Sequence, residues 1–147
     1  MRRSPTCAAA SLLLWVAVAA NGCAPAPESG AGAGIAWVKD HAEGLRRAEA
    51  TGKPALVYFT ADWCAPCVEL KKYIWPDRRV VEASQKLVMI YVDVDKDPGT
   101  FSAYRVRGIP AIFFLTPAGE QVMAFSGDRS AANLSRQMNT AADSFSR

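Results

Sequence analysis

The chain has 147 residues, half of them hydrophobic and 21% charged, a globular balance that excludes both an intrinsically disordered chain and a protein with many membrane spans. The formal net charge is +3, and without Arg2 and Arg3 the remaining 15 Lys and Arg residues nearly balance 14 Asp and Glu residues. A strongly basic surface is therefore not expected, and nucleic acid is not a predicted partner.

The first 23 residues have the pattern of an export signal. Arg2 and Arg3 precede an uncharged apolar run over 7–20. Its 14 residues are fewer than the roughly 20 that cross a bilayer as a helix, but they suit a signal-peptide core of about 7–15. The run ends at Ala20-Asn21-Gly22-Cys23, which resembles a bacterial lipobox. We predict a lipoprotein-type signal peptide over 1–23 with lipidation at Cys23; ordinary cleavage, which leaves Cys23 unmodified, is the alternative.

Residues 24–34 are predicted to be a flexible linker. Nine of these eleven residues are Ala, Pro or Gly, and none has a large hydrophobic side chain. Such a segment cannot offset the entropy lost on ordering, and as a coil it reaches about 20 Å. The folded domain is expected over 35–147, a length that suits one domain.

The domain alternates helical and strand-like patterns. We predict helices over 35–50, 64–73, 77–85, 100–104 and 130–142, and strands over 55–60, 87–94, 111–115 and 121–125. The predicted buried positions of the last helix are Ala131, Leu134, Met138, Ala141 and Ala142. A turn at 116–120 makes the last two strands an antiparallel hairpin, whereas strands separated by helices are expected to pair in parallel. The result is an α/β fold with a central mixed sheet of about four strands, covered by helices on both faces.

The sequence Trp63-Cys64-Ala65-Pro66-Cys67 follows a predicted buried strand and opens a predicted helix. A cysteine at a helix N-terminus faces unpaired N–H groups and the positive end of the helix dipole, which favour its thiolate. Cys67 lies one turn further on the same face, within reach of a disulfide with Cys64. Pro66 fits because the first turn offers its missing N–H no internal partner. The pattern predicts a solvent-accessible nucleophile, Cys64, and a resolving thiol, Cys67.

Two other interpretations of the cysteine pair are weaker. A structural disulfide between Cys64 and Cys67 would close a loop of only a few residues and would contribute little through loop entropy. A zinc site needs about four ligands, and no second cysteine pair follows Cys67. His41, the only histidine, is expected to be an ordinary residue of the first helix. No metal site and no cofactor are predicted.

Further segments extend the pattern around the cysteine pair. They are GKPALVYFTADWCAPC at 52–67, VDVD at 92–95 with DPGT at 97–100, YRVRGIPA at 104–111 and PAGE at 117–120. Together they resemble the thioredoxin superfamily, and within it the C-terminal periplasmic domain of DsbD-type thiol:disulfide interchange proteins. The resemblance spans about residues 37–142. It implies the thioredoxin fold and thiol–disulfide exchange.

The resemblance also assigns roles by position. Cys64 is similar to the family's attacking cysteine and Cys67 to its resolving cysteine, so both are expected to be catalytic and to form a redox-active disulfide. Pro110 stands at the place of the family's cis-proline, where the backbone of Ile109 would pair with a substrate strand. Trp63, directly before the first cysteine, is expected at the surface. We therefore predict Trp63, Ile109 and Pro110 as substrate-binding residues.

The sequence departs from the family pattern at three positions. Tyr58 stands where thioredoxins usually carry a buried acid, which leaves Glu69, Asp62 or water to handle the proton of the resolving cysteine. Near Tyr91 many members have a lysine. Ile109 replaces the more common Thr or Val before the proline, which is expected to alter partner choice.

These observations predict an exported oxidoreductase in the periplasm or cell envelope, held at the membrane by a lipid anchor, that reduces disulfides in envelope proteins. Ala65-Pro66 offers no histidine to stabilise the Cys64 thiolate further, which favours a moderately reducing couple. The expected partners are protein disulfide substrates and an upstream thiol reductant. The 147 residues hold no counterpart of the membrane domain fused to the DsbD domain, so a separate membrane electron-transfer protein is expected to supply the electrons.

Three alternatives stay open at this point. The same fold and cysteine pair would serve a thiol oxidase or isomerase. Two thiolates, with Met123 or His41, would suit a Cu(I)-binding metallochaperone, because soft ligands select Cu(I). The third alternative is an interaction module whose cysteines are vestigial.

Overall fold

The computed structural model describes residues 34–145. The predicted signal peptide, Cys23 and nearly all of the predicted linker lie outside the described residues. Within 34–145, no helix is long and apolar enough to cross a membrane.

One five-stranded sheet and five helices make up the described domain. The strands are β1 (Trp37–Val38), β2 (Ala55–Thr60), β3 (Val88–Asp93), β4 (Ala111–Leu115) and β5 (Gln121–Ala124). The helices are α1 (His41–Thr51), α2 (Ala65–Glu69), α3 (Arg78–Ser84), α4 (Pro98–Ala103) and α5 (Ala131–Phe145). A π-helical turn, Leu70–Ile74, continues α2.

The sheet has the strand order β1-β3-β2-β4-β5. β3 pairs in parallel with β1 and β2, whereas β4 runs antiparallel to both β2 and β5. Every residue of β2 is buried, because hydrophobic clusters cover both faces of the strand. On one face Leu56 and Tyr58 pack against α3 and α5, and on the other Val57 and Phe59 pack against residues of α1 and α4. This is the predicted mixed sheet with helices on both faces.

The predicted first helix, over 35–50, is wrong at its start. Trp37 and Val38 instead form β1 and pair with Met89 and Ile90 of β3. The helix begins after Asp40, whose side chain accepts a hydrogen bond from the Glu43 N–H at 2.7 Å. An aspartate that caps the first turn ends the extended segment at that point. The sheet therefore has five strands, one more than the approximate count from the sequence.

The expectation that strands separated by a helix pair in parallel is wrong for β4. Ala111 at the start of β4 lies opposite Phe59 near the end of β2, so β4 enters at the sheet edge where β2 and β3 end. The connection between Asp93 and Ala111 has 17 residues. It carries Ala103, Tyr104 and Arg105 to a cleft lined also by Leu115, Gly119 and Gln121 at the opposite edge of the sheet, and the chain then returns before β4 begins. Because α4 and the segment after it together lead back to the edge where β2 ends, β4 runs antiparallel to β2.

Candidate active site

The cysteine pair lies where the buried strand β2 passes into α2. Cys64 has an extended backbone and is the residue that precedes the first helical turn. Its carbonyl oxygen accepts hydrogen bonds from the N–H groups of Cys67 and Val68, at 2.9 and 3.0 Å. Pro66 occupies the first turn, where its missing N–H removes no helical hydrogen bond. The burial of β2 determines where the strand ends. Since α2 begins directly after Cys64, both sulfurs lie at that edge of the sheet.

Cys64 and Cys67 form a disulfide, with a Cα–Cα distance of 5.2 Å. Cys67 is completely buried, and Cys64 is only 5% exposed. Both pack with Ala61, and the half-buried side chains of Val94 and Ile109 lie against them. The expectation that Cys64 is openly accessible is therefore wrong, because residues from two neighbouring loops cover it. Of the two cysteines, Cys64 alone has any exposed surface.

The loop before β4 brings Ile109 and Pro110 to the disulfide. The Ile109–Pro110 peptide bond is cis. The Ile109 carbonyl oxygen lies 3.7 Å from Cys64 Sγ, within reach of a thiol donor in the reduced protein. The pairing of Ala111 with Phe59 holds this loop at the edge where β2 ends. The structure therefore places Ile109, and with it the adjacent Pro110, at the disulfide.

Trp63 lies beside the disulfide on the protein surface. Its side chain belongs to the exposed large hydrophobic groups of the described domain, at 70% exposure. The indole N–H donates a hydrogen bond to the Asp95 carboxylate at 2.9 Å. Asp95 follows β3, so the β3–α4 loop orients the ring. Sequence reasoning did not assign a role to Asp95, although it lies in the quoted VDVD segment.

Tyr58 lies beneath the cysteines as a neutral, buried phenol. Its hydroxyl lies 3.4 Å from the carbonyl oxygen of Cys67. Burial raises its pKa, while the nearby Thr60 hydroxyl, Trp75 indole and Lys71 charge offset part of that rise. Thr60 Oγ1 and Trp75 Nε1 are buried and reach hydrogen-bond geometry with no group of the described residues. The position that carries an acid in many thioredoxins thus holds a group that stays protonated near neutral pH.

The two carboxylates proposed to replace that acid lie at the surface. Asp62 is exposed, and its carboxylate pairs with the Lys71 ammonium at 2.9 Å. Glu69 is also exposed. Burial lowers the pKa of Lys71, but hydrogen bonds with Asp62 and Tyr91 outweigh it and the net shift is upward. The Lys71 ammonium lies 5.6 Å from the centre of the Tyr91 ring. Lys71 belongs to the π-helical turn after α2, so this turn, and not β3, supplies a lysine near Tyr91.

The additional copper ligands considered from the sequence lie in other clusters. His41 Nε2 lies 2.8 Å from the Tyr104 hydroxyl. Met123 packs with the cluster that contains residues of α3 and α5. Within residues 34–145, no group of three or more His, Cys, Asp or Glu side chains is arranged to hold a metal ion. A Cu(I) site at this edge would therefore depend on the two sulfurs alone.

The fold and the disulfide at the start of α2 define a thioredoxin-like oxidoreductase. Residues 36–117 match the family described as thioredoxin-like, and the chain belongs to this family.

The similar proteins include thiol:disulfide interchange proteins named DsbD. The chain is 34% identical to DsbD of Pseudoalteromonas atlantica over 94 residues, which are 61% of this chain and 15% of that protein. It is 34% identical to DsbD of Ralstonia nicotianae over 108 residues, 67% of this chain and 18% of that protein. The chain thus spans less than a fifth of the length of these two relatives.

Solved structures share the fold. A thioredoxin from Thermus thermophilus has a TM-score of 0.65 at 28% identity, over 74% of this chain and 87% of that one. The C-terminal domain of Neisseria meningitidis DsbD in the oxidised form has a TM-score of 0.59 at 21% identity, over 72% of this chain and 99% of that one. At that identity the second likeness concerns the fold alone.

Proposed function

We propose that this chain is an exported thiol:disulfide oxidoreductase that reduces disulfides in cell-envelope proteins through Cys64 and Cys67. The observation that supports this most directly is the Cys64–Cys67 disulfide at the start of a helix. Cys64 Sγ lies beside the Ile109 carbonyl and Cys64 keeps 5% exposure, whereas Cys67 is completely buried. In this proposal Trp63, Ile109 and Pro110 contact the substrate protein.

The reaction consists of two successive thiol–disulfide exchange steps. The Cys64 thiolate attacks one sulfur of the substrate disulfide, a Cys64–substrate bond forms, and the other substrate sulfur leaves as a thiolate that takes a proton from water. Cys67 then loses its proton to water and attacks Cys64 Sγ, which releases the second substrate thiolate. Two electrons pass from the Cys64–Cys67 dithiol to the substrate. The protein is left with its own disulfide, which an upstream dithiol reduces again.

The proposed direction follows from the environment of Cys64. A disulfide is strongly oxidising when its reduced form is stabilised, as happens when several groups favour the thiolate. Ala65 and Pro66, the two residues between the cysteines, supply no charge and no hydrogen-bonding side chain to the thiolate. We therefore place the couple on the reducing side, closer to thioredoxin at about −270 mV than to DsbA at about −120 mV.

The proposal also includes the cellular setting. Residues 1–23 would be a lipoprotein signal peptide, Cys23 would carry the lipid anchor, 24–34 would be the linker, and 35–147 the catalytic domain in the periplasm or cell envelope. The signal pattern of the sequence supports export, and the relatives named thiol:disulfide interchange protein support a role in disulfide exchange. A separate membrane electron-transfer protein would be the upstream reductant.

Insulin reduction and equilibration with glutathione test this function. We expect the purified chain, supplied with dithiothreitol, to accelerate insulin reduction, and Cys64→Ser to abolish that acceleration. Cys67→Ser should instead accumulate a mixed disulfide with insulin, because the resolving sulfur is missing. A reduction potential near that of DsbA, measured by equilibration with glutathione, would reverse the assigned direction. Tight Cu(I) binding without any insulin reduction would favour the metallochaperone.

A further inference from the structure

Lys71 lies on the continuation of the cysteine helix, four residues after Cys67. It belongs to the π-helical turn Leu70–Ile74, which follows α2 directly and is closed by a hydrogen bond from the Trp75 N–H to the Leu70 carbonyl oxygen at 3.0 Å. Side chains four residues apart on a helix are neighbours, with Cβ atoms about 5–6 Å apart. π-Helical turns within helices also occur frequently at functional sites. The position of Lys71 therefore makes it a neighbour of the resolving cysteine.

The Lys71 ammonium is held over the sheet by contacts with two other residues. Its Nζ atom lies 2.9 Å from Asp62 Oδ1 and 5.6 Å from the centre of the Tyr91 ring. Tyr91 of β3 pairs with Tyr58 of β2, and the centres of the two rings are 5.9 Å apart. The Tyr58 hydroxyl in turn lies 3.4 Å from the Cys67 carbonyl oxygen. The ammonium and Cys67 thus lie over neighbouring tyrosines on adjacent strands.

Two ion pairs bring the charged groups of this region together. Asp62 pairs with Lys71 and Asp93 with Lys96, each with nitrogen and oxygen 2.9 Å apart. The Lys96 hydrogen bond and, to a smaller extent, the Lys71 charge lower the pKa of Asp93, while burial opposes them. The Lys71 side chain is 28% exposed, whereas that of Lys96 is 81% exposed. Because water screens Lys71 less, its charge acts more strongly on buried groups than that of Lys96.

Cys67 requires a favourable charge when it resolves the mixed disulfide. Its side chain is completely buried, and burial disfavours the thiolate that has to form before Cys67 attacks Cys64 Sγ. A nearby opposite charge offsets this cost. The Tyr58 phenol supplies no such charge. Burial lowers the pKa of Lys71, but the hydrogen bonds of its ammonium outweigh burial and the net shift is upward, so Lys71 stays charged near neutral pH.

We propose that Lys71 stabilises the thiolate of Cys67 and thereby speeds the resolution of the mixed disulfide with the substrate. In that step the Cys67 sulfur bonds to Cys64 Sγ, the bond between Cys64 and the substrate breaks, and the substrate sulfur leaves with the bonding electron pair. Lys71 supplies charge and takes no proton, so the proton of Cys67 still passes to water. Asp62 and Tyr91 position the ammonium. This inference rests on the proposed function and adds a residue to its second exchange step.

A coloured leaving group allows the resolution step to be timed by stopped-flow absorbance. In the full chain with Cys7→Ser and Cys23→Ser, Cys64 and Cys67 are the remaining cysteines. The reduced protein attacks a nitrothiobenzoate disulfide through Cys64, and Cys67 then releases the bound nitrothiobenzoate at a rate independent of reagent concentration.

Lys71→Gln is expected to displace the pH profile of this release upward by about one pH unit, because the thiolate of Cys67 loses its favourable charge. At pH 7 the rate constant should fall about threefold, since a tenfold loss of thiolate is partly offset by the greater nucleophilicity of a more basic sulfur. The difference from the protein with Lys71 should close as the pH rises and Cys67 ionises in both.

Lys71→Arg and Lys72→Gln are the matched variants. Arginine keeps the positive charge, so the profile of Lys71→Arg should stay near that of the protein with Lys71. Lys72 is exposed and its ammonium lies 5.0 Å from the centre of the Tyr73 ring. Lys72→Gln removes the same charge from the next residue along the chain and should leave the profile unchanged.

Several results would overturn the inference and leave the proposed function intact. They are an unchanged profile in Lys71→Gln, a loss of rate by the same factor at every pH, which indicates structural damage, and an equal displacement in Lys72→Gln. A protein with Lys71 in place that never releases the bound nitrothiobenzoate would overturn the proposed function together with this inference.

Discussion

Among individual residues, Tyr58 departs furthest from the family pattern, because it stands where a proton acceptor for Cys67 is expected. Cys67 is completely buried, and its thiol must lose a proton before it attacks the Cys64 mixed disulfide. The Tyr58 hydroxyl lies 3.4 Å from the Cys67 carbonyl oxygen, and burial raises the pKa of this phenol. Such a group donates a hydrogen bond but does not accept a proton near neutral pH. The proton of Cys67 therefore has to pass to water or to the surface.

Replacement of Tyr58 tests this point. We expect Tyr58→Phe to leave the pH profile of mixed-disulfide resolution unchanged between pH 6 and 9, because a phenol of raised pKa keeps its proton throughout that range. The free energy of unfolding should fall by about 1 kcal/mol, since the hydroxyl that faces the Cys67 carbonyl is lost. Stopped-flow kinetics and urea unfolding measure the two effects. Tyr73→Phe, at an exposed position, is the control; a displaced pH profile in Tyr58→Phe alone would contradict the prediction.

The cysteine motif was readable from the sequence, but the exposure of Cys64 was not. A strand followed by Cys-X-X-Cys at a helix start fixes the spacing and the pairing of the two sulfurs through local geometry alone. The cover over Cys64 comes from Val94 and Ile109, which lie 30 and 45 residues further along the chain. Local patterns carry no information about such distant contacts, and only the motif resemblance pointed to the Ile109–Pro110 loop.

At the level of elements, α1 lies very close to the sheet at Gly44. A Cβ atom at this position would come within 2.5 Å of Cγ1 and Cδ1 of Ile90, a completely buried residue of β3. The glycine thus permits the helix to approach the strand, at a cost in helix propensity of about 1 kcal/mol relative to alanine.

Gly44→Ala is therefore expected to destabilise the domain, although alanine favours helix. Overpacking against Ile90 costs about 1–3 kcal/mol, which exceeds the gain of about 1 kcal/mol in propensity. Urea unfolding measures the difference. The matched control is Gly99→Ala in α4, where the added Cβ would meet only Asp97 Oδ1 at 3.7 Å; we expect this variant to be unchanged or slightly more stable. A stabilised Gly44→Ala variant would contradict the close approach.

Most elements followed from periodicity, and the two errors have separate causes. The predicted buried positions of the last helix, Ala131, Leu134, Met138, Ala141 and Ala142, are all buried in α5. The first error, the helix start, ignored a local signal, since Asp40 and Glu43 have the spacing of a helix cap. The second, the direction of β4, depends on the edge of the sheet at which the 17-residue connection between β3 and β4 ends, and that is set by tertiary packing. Periodicity describes faces within an element and gives no direction between elements.

At the level of the whole molecule, a polar contact joins α1 to the end of α4. His41 Nε2 lies 2.8 Å from the Tyr104 hydroxyl, and the two rings meet edge to face. Burial raises the pKa of Tyr104 to about 12, so this hydroxyl stays protonated and can donate a hydrogen bond to a neutral imidazole. Burial lowers the pKa of His41, with the nearby Asp97 and Asp40 charges partly opposing that shift.

The stability of the domain should therefore fall on mild acidification. The unfolded chain protonates His41 near its ordinary pKa of about 6.5, whereas the folded protein resists protonation, so the unfolded state binds more protons as the pH falls below that value. The contribution is fully present above pH 6.5 and is lost as the pH drops towards the lowered pKa. Urea unfolding between pH 5 and 7.5 should show this decline. His41→Gln, which does not titrate, should flatten it; an equal decline in the variant would assign the effect elsewhere.

Cys67 is completely buried, whereas Cys64 keeps a small exposed surface. Of this pair, Cys64 is therefore the cysteine that can form a disulfide with another protein. Under the proposed function, the substrate and the upstream reductant both bond to the Cys64 sulfur, so they bind in turn and never together. Turnover should accordingly follow ping-pong kinetics, with each partner competing against the other at high concentration. While a slowly resolved mixed disulfide occupies Cys64, the upstream reductant cannot reduce that molecule.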